Sequence, residues 1–534
     1  MVRRIRSNPA SRAGLGVAIL VMLGSVGPSA QAPQRPAAAQ ANPVQARQRL
    51  AELTAQLQAT GSAAVAAERL AVVLDLMQSD PGAVLAMAMP RDVRAGLPPQ
   101  AQAFVEQEAD LEGDVEVLYE DRDDGSRLRR FLQSGNQRVE LHFATEPGEM
   151  LSGDRVRVRG LQAGTDLAAD GGAAIIQTMT TALAYSRGEQ RTLMILVNFQ
   201  DKPTSQPYTV STASSLLFGT VNNFDRENSQ DQTWLTGDVT GWFTVPVDST
   251  VCDSTAIRTH AQQAAQGAGF DLTAYRRFVY AFPSNSGCAW WGLGQVVGSV
   301  SHAWVNGSLA TRVVAHELGH NLGVYHARAL ECGTATLGTS CTTIEYGDPA
   351  DIMGMSGTVA HFNAFQKERM GWLNYGTSLP ILTVTGDGIF TIEPYAAVGS
   401  GPKALKILKS VDPTTGRRTW YYIEHRRGVN FDSSLSSNAN LANGVLVHTG
   451  SEATGNSSYV LDMTPETASW TDPALVVGRS FSDPDLGVTI STVSAGSTGA
   501  TVQVSFGPQP CVTAAPTLVL SPASQTGAAG DTFL

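Results

Sequence analysis

Three shortages limit what this chain can be. Charged side chains are few, at 16% of 534 residues, and positive charge is the scarcer sign: 37 Lys and Arg against 48 Asp and Glu give a formal net charge of −11. Binding nucleic acid needs a basic face to neutralise phosphates, so the balance argues against that partner. No apolar run after residue 23 is long enough to cross a bilayer, so no membrane span is expected in the mature chain. Cysteine is rare as well, with five residues, none of them before Cys252. What is present is an ordinary apolar fraction, 43%, on a chain too long for a single core, so several domains are expected.

The N-terminus reads as an export signal. Arg3, Arg4, Arg6 and Arg12 make a basic start, Leu15 to Leu23 is a nine-residue apolar stretch, and Ala30-Gln31-Ala32 has the small residues of a cleavage site. The stretch is too short to anchor the chain in a membrane. Residues 1–32 are therefore assigned to a signal peptide, and the protein is expected to be secreted, where disulfides persist. Cys332 and Cys341 are close enough to staple one loop, which leaves Cys252 with Cys288 and gives Cys511 no partner in this chain.

Composition changes along the chain mark further units. Residues 33–47 are rich in Ala, Pro and Gln, and read as a linker. Residues 48–108 carry apolar positions at helical spacing, such as Leu50, Leu53 and Leu57. Residues 113–165 alternate: Val115, Val117 and Tyr119 are interleaved with the acidic Asp114, Glu116 and Glu120, and Asp123-Asp124-Gly125 is a turn signal, so a small β unit is expected. A connector follows to about residue 188. Leu193 to Phe199 is a buried strand, 223–246 reads as strands with turns, 253–267 as a helix, and 289–307 as a loop leading to an edge strand. Ser308 to Tyr325 has the strongest helical pattern. From Ile381 the sequence reads as short strands with regular turns, as in a β-sandwich, and 509–534 as the start of another β module.

The decisive stretch is His316-Glu317-Leu318-Gly319-His320-Asn321-Leu322-Gly323-Val324-Tyr325-His326, which holds three of the nine histidines. Residues four apart share a helix face, so His316 and His320 can point at one metal ion. Imidazole ligands suit zinc. Glu317 is placed to act as general base on a metal-activated water. Gly323 can end the helix in a left-handed conformation that other residues resist, so that the chain turns and brings in His326 as third ligand. Three protein ligands leave a position open, the mark of a catalytic zinc rather than a structural one. By average residue usage the full pattern arises by chance in on the order of one in 10^5 chains of this length.

Downstream, Tyr346-Gly347-Asp348-Pro349-Ala350-Asp351-Ile352-Met353-Gly354-Met355 is turn-rich. Here the sequence resembles the metzincins, whose zinc motif is followed by a methionine-bearing turn beneath the metal; Met353 matches that methionine, with Met355 second. The closer resemblance is to the gametolysin family. It rests on the zinc motif, on Glu345-Tyr346-Gly347-Asp348 with Asp351-Ile352-Met353-Gly354, on Phe362-Asn363-Ala364 leading to Met370-Gly371-Trp372-Leu373, and on Val239-Thr240-Gly241-Trp242. It covers roughly residues 190–375. The resemblance implies an α+β fold with a mixed twisted sheet, an active-site helix and a second helix after the methionine turn. It also implies an extracellular zinc endopeptidase acting on matrix or cell-wall proteins.

The resulting division is signal peptide 1–32, propeptide 33–188, catalytic domain 189–377, β-sandwich-like domain 378–508, and 509–534 beyond it, with activation cleavage expected near Tyr185 to Gln190. Two departures matter. Some metzincins carry a metal-approaching tyrosine two residues after the turn methionine, where this chain has Met355, so no tyrosine ligand is assigned. Some are silenced by a propeptide cysteine on zinc, and here none precedes Cys252. Inhibition by residues 33–188 would need another contact, such as an acidic side chain or steric cover. His302, His361, His425 and His448 are isolated and read as non-ligands. Calcium at Asp348 or Asp483-Pro484-Asp485 is a weaker expectation than turn roles for these residues. The partners implied are protein or peptide substrates. The competing class is an adhesion or binding protein carrying an inactive protease domain; the complete set His316, Glu317, His320 and His326 argues against it.

Overall fold

The structure, a computed structural model, describes residues 42–171, 174–175, 185–355 and 357–507. The signal-peptide segment, Cys511 and the C-terminal module lie outside these residues. Among the described residues no helix is long and apolar enough to cross a membrane.

The N-terminal unit starts with helix Pro43–Thr60, capped by the Asn42 side chain, which buries Ala46, Leu50, Leu53 and Leu57 on one stripe. It packs against helix Ala63–Ser79, and three short helices carry the chain to Gln102. The helical stretch therefore begins and ends about five residues before the limits expected from periodicity. A strand of sixteen residues follows at once, β1 (Gln107–Arg122), then β2 (Gly125–Ser134), β3 (Gln137–Phe143), β4 (Arg155–Ala163), β5 (Asp166–Ala169) and the two-residue β6 (Ala174–Ile175). β1 pairs with β2, β2 with β3, β3 with β5, β5 with β4, and β4 with the first half of β1, so five strands close on themselves around Val115, Val117, Leu132, Val139, Val156 and Leu167. A strand as long as β1 can do two jobs. Its second half leaves β4 and pairs antiparallel with a strand of the central unit, Leu118 opposite Gln295 and Asp121 opposite Gly292.

The central unit is built on β7 (Gly188–Phe199), β8 (Thr233–Val245), β9 (Arg277–Phe282), β10 (Gly292–Gln295) and β11 (Ser301–Asn306), in the order β10-β11-β9-β7-β8. All neighbours are parallel except β10, and β1 adds beyond β10. The apolar run of β7 is continuous because both of its faces are covered: Met194 and Leu196 enter the core under helix Thr311–Leu322, while Leu193, Ile195, Val197 and Phe199 enter the core under helix Ser254–Gly267. Two expectations change here. Residues 222–229 are a helix, not a strand, because Phe224, Asp225 and Asn228 bury at helical spacing, with Asn228 Nδ2 donating to Phe224 O. And 289–307 holds two strands, of which β10 is no free edge, since β1 covers it. The segment expected for activation cleavage is built into this unit: Ser186 and Gln190 are fully buried, and Ser186 donates to Met370 O. Cleavage between them would require the start of β7 to unfold.

The C-terminal half is a sandwich. β12 (Arg328–Glu331) and β13 (Thr342–Ile344) join β14 (Ile381–Val384), β16 (Ala404–Val411), β17 (Arg418–Glu424), β18 (Gly444–Ser451), β19 (Thr454–Leu461) and β20 (Leu475–Val476) in one sheet. The other contains β15 (Gly388–Ile392), β21 (Ser480–Asp483), β22 (Val488–Gly496) and β23 (Gly499–Phe506). Leu405, Ile407, Tyr421, Val447, Ile490 and Val502 fill the space between the sheets. Because β12 pairs with β19, the sheet is continuous across the boundary expected at 377. Disulfides link Cys252 to Cys288 and Cys332 to Cys341.

Candidate metal centre

One helix and one turn place the three histidines. Helix Thr311–Leu322 buries every residue from Val313 to Leu322. His316 and His320, one turn apart, bring their ring centres to 5.1 Å. The helix stops at Gly323, whose φ of 104° is open to glycine and strained for any other residue. The chain doubles back, and His326 Nε2 arrives 3.2 Å from His316 Nε2. The sequence pattern foresaw a helix over 308–325; the observed one is three residues shorter at each end, and the C-terminal trim is what frees His326 to turn inward.

Each ring is oriented through its other nitrogen. His316 Nδ1 faces Ile352 O at 2.9 Å, His320 Nδ1 faces Val324 O at 2.9 Å, and His326 Nδ1 faces Glu345 Oε1 at 2.5 Å. With those acceptors holding the Nδ1 protons, all three Nε2 lone pairs are left for one point in space. Met353 lies beneath: its side chain is fully buried, and a Cβ on Gly319 would come within 2.8 Å of its sulfur. Met353 N donates to Asp351 Oδ1, and Ala327 N donates to Met353 O, tying the turn to the chain that carries His326. Glu317 is buried, and neither of its carboxylate oxygens has a hydrogen-bond partner. Two glycines of β10 give it room. A Cβ on Gly292 would meet Glu317 Oε1 at 1.7 Å, and one on Gly294 would meet His320 at 2.7 Å.

A fourth group stands among the histidines and comes from the N-terminal unit. Asp121 Oδ1 is 2.6 Å from His326 Nε2 and 3.4 Å from His316 Nε2, and Oδ2 is 3.5 Å from His320 Nε2. The four side chains fit a divalent cation. Tetrahedral ligands at ~2.0–2.1 Å from zinc would be roughly 3.3–3.4 Å apart, close to the 3.2–3.5 Å of three of these contacts. His320 Nε2 and Asp121 Oδ2 are buried without a hydrogen bond, which protein interiors avoid unless a cation satisfies them. Burial lowers His316 to about 4 and also lowers His320, favouring the neutral, ligating form. His326 would be lowered by burial too, but the carboxylates of Asp121 and Glu345 raise it on balance. Burial opposes ionisation of Asp121, yet His316 and His326 hold it well below the usual carboxylate range. Burial, reinforced by the adjacent Asp121, pushes Glu317 well above it.

Sequence reasoning missed Asp121, Glu345 and Tyr346 as site residues. Asp121 carried a usable signal: it continues the inward-facing positions Val115, Val117 and Tyr119 of β1, so an acid falls on an apolar face. Tyr119 itself stacks on His320 with ring centres 4.9 Å apart. The remaining candidates lie elsewhere. His361 contacts Glu227 and Lys367, His425 contacts two main-chain carbonyls, His448 pairs with Asp348, and His302 contacts Tyr280. Two of the three carboxylates weighed for calcium are engaged by protein: Asp348 by His448 and Ala350 N, Asp483 by Tyr421 and Lys409.

Compared with known proteins, residues 222–467 match the family model for gametolysin peptidase M11. The match takes in the metal-centre helix, the methionine turn and much of the sandwich, and begins well after β1. No curated protein matches the chain.

Proposed function

Residues 222–467 of this chain are a domain of the gametolysin peptidase family, and from that premise we propose that the protein is a secreted zinc-dependent endopeptidase, cleaving extracellular matrix or cell-wall proteins and made as a latent precursor. The observation that carries this reading is the convergence of three oriented Nε2 atoms beside the unpartnered carboxylate of Glu317.

His316, His320 and His326 would hold the ion. Zinc, when bound, would supply Lewis acidity and a water whose pKa lies near neutrality. Glu317 takes a proton from the attacking water and later delivers it to the leaving nitrogen. The β10 main chain would hold an extended peptide by strand addition.

Latency is supported by what takes those places now. β1 holds the β10 edge, with Trp291 N donating to Asp121 O at 2.8 Å, and Asp121 stands among the ligands. We read Asp121 as the acidic contact that replaces the missing cysteine, and β1 as the steric cover.

Glu317→Ala in the full-length chain is expected to keep bound zinc and lose all casein hydrolysis after activation; a variant that still cleaves casein sinks the base assignment. Asp121→Ala is expected to raise casein hydrolysis by the uncut chain, and unchanged latency would refute its role. Casein hydrolysis by the activated wild type should stop with a chelator and return with zinc. An activated chain that binds zinc without cleaving any protein would favour the adhesion alternative.

A further inference from the structure

Tyr346 has no part in the reading above, yet its hydroxyl points into the metal centre. It donates to Asp121 Oδ1 at 2.7 Å. That same oxygen is 2.6 Å from His326 Nε2 and 3.4 Å from His316 Nε2, so the hydroxyl is aimed at an oxygen in the position of a fourth ligand. The Tyr346 ring lies against His326, with centres 4.3 Å apart. Glu317 sits against the same Asp121 carboxylate. Asp121 thus presents two oxygens between a base and a donor, the outline of a peptide carbonyl that has just been attacked by water.

The donor is held by its own domain. Tyr346 has φ 54°, a left-handed conformation that strains a bulky residue and persists only where neighbours enforce it. The neighbours do so on both sides. Glu345 is fixed by His326 and by Arg328 Nε at 2.6 Å. A Cβ on Gly347 would meet Ala329 at 2.4 Å, and Asp348 is fixed by His448 at 2.8 Å. Glu345 also accepts from the Tyr119 hydroxyl of β1 at 3.4 Å and from Ser126 Oγ of β2 at 2.7 Å, but His326, Arg328, Ala329 and His448 lie outside the N-terminal unit, so withdrawal of β1 leaves these four to hold the hydroxyl in place with an empty position in front of it.

We infer that Tyr346 is a catalytic residue of the activated enzyme, its hydroxyl donating to the scissile carbonyl oxygen as that oxygen becomes anionic, and that Asp121 takes up this donor in the latent chain. The inference rests on the endopeptidase reading. As the water oxygen bonds to the carbonyl carbon, one water proton passes to Glu317 and the C=O π pair moves onto the oxygen facing Tyr346. When the pair returns, the C–N bond breaks, the nitrogen takes the proton from Glu317, and the products are an amine and a carboxylic acid that keeps the second water proton until it passes to the amine. Tyr346 keeps its proton throughout and acts by hydrogen bonding alone.

The test uses the full-length, zinc-loaded chain, activated by limited trypsin treatment. Tyr346→Phe keeps the ring on His326 and removes only the hydroxyl. It is expected to lower kcat by roughly 10^2–10^3-fold with KM nearly unchanged, the loss typical of one oxyanion donor. Zinc content should stay at the wild-type level. A phosphinate pseudo-peptide built on the mapped casein cleavage site, which presents tetrahedral oxygens, should bind roughly tenfold or more weakly. A kcat within twofold of wild type, unchanged phosphinate affinity, or a fall in kcat matched by loss of zinc would each overturn the inference. Glu317→Gln is assayed alongside: if it retains turnover, the peptidase mechanism itself fails, whereas an inactive Glu317→Gln with a fully active Tyr346→Phe rejects Tyr346 alone.

Discussion

Replacing Glu345 by Gln asks how much the third imidazole depends on its partner. His316 and His320 hydrogen-bond to main-chain carbonyls, which no substitution removes, but His326 Nδ1 relies on a carboxylate at 2.5 Å. A charge-assisted bond of this kind is roughly twice as strong as a neutral one, and it raises the basicity of the nitrogen that faces the metal. Gln keeps the length of the side chain but has one oxygen where four donors now share two: His326 Nδ1, Ser126 Oγ and the Tyr119 hydroxyl at Oε1, and Arg328 Nε 2.6 Å from Oε2. Losing such a partner costs about 10–100-fold in metal affinity, or about 1.4–2.7 kcal/mol. Arg328 still donates to Asn456 O and to the Tyr119 hydroxyl, so the fold should be spared. Zinc Kd would be measured on the full-length chain by competition with a chromophoric chelator, with thermal unfolding of the apo proteins as the control. A Kd within twofold of wild type, at matching apo Tm, would refute the reasoning and leave the Tyr119 and Tyr346 rings as what orients His326.

Three further outcomes are expected. Asp225 is buried with both oxygens unbonded, and burial raises it to about 8. Between pH 4 and 8 the unfolded chain releases this proton and the folded one does not, so stability falls as pH rises; Asp225→Asn should remove up to about 4 kcal/mol of that penalty at pH 7, seen as a variant-minus-wild-type difference in urea unfolding that grows from pH 5 to 8. Gly294→Ala puts a methyl group 2.7 Å from His320, and should cut zinc affinity at least tenfold on the scale of a lost supporting contact; calorimetric titration showing native affinity would count against it. The two disulfides close loops of unequal length, with separations of 36 and 9 residues, so replacing Cys252 and Cys288 by Ser should cost about 4 kcal/mol and replacing Cys332 and Cys341 about 2.5; equal losses in chemical unfolding would contradict a loop-entropy origin.

The legible parts of this protein were those written in a short stretch of chain. Helical spacing puts His316 and His320 on one face, a glycine at 323 permits the reversal to His326, and alternation marks β1 as a strand with one inward face. Where local pattern was ambiguous the reading failed: Asn222–Ser229 is rich in Asn and Ser, which favour turns, and only burial of Phe224 and Asn228 against the central core makes it a helix.

The centre itself shows where such reading ends. Sequence alone specified three histidines able to converge and a carboxylate beside them, because each depends on neighbours within a few residues; the methionine turn came only from the family resemblance. Sequence left open which side chains from distant segments stand among the histidines, and tertiary structure decided that. Asp121 is 195 positions from His316, and reaches it because β1 is long enough to leave its own barrel and pair with β10. Tyr346 faces the same point because Glu345 and Asp348 are each tied down by a histidine from a distant segment. No local pattern encodes which strand takes a sheet edge, since any extended segment satisfies the same hydrogen bonds. The choice is made by the barrel that aims β1, and by the two glycines of β10 that leave space for His320 and Glu317 beside it.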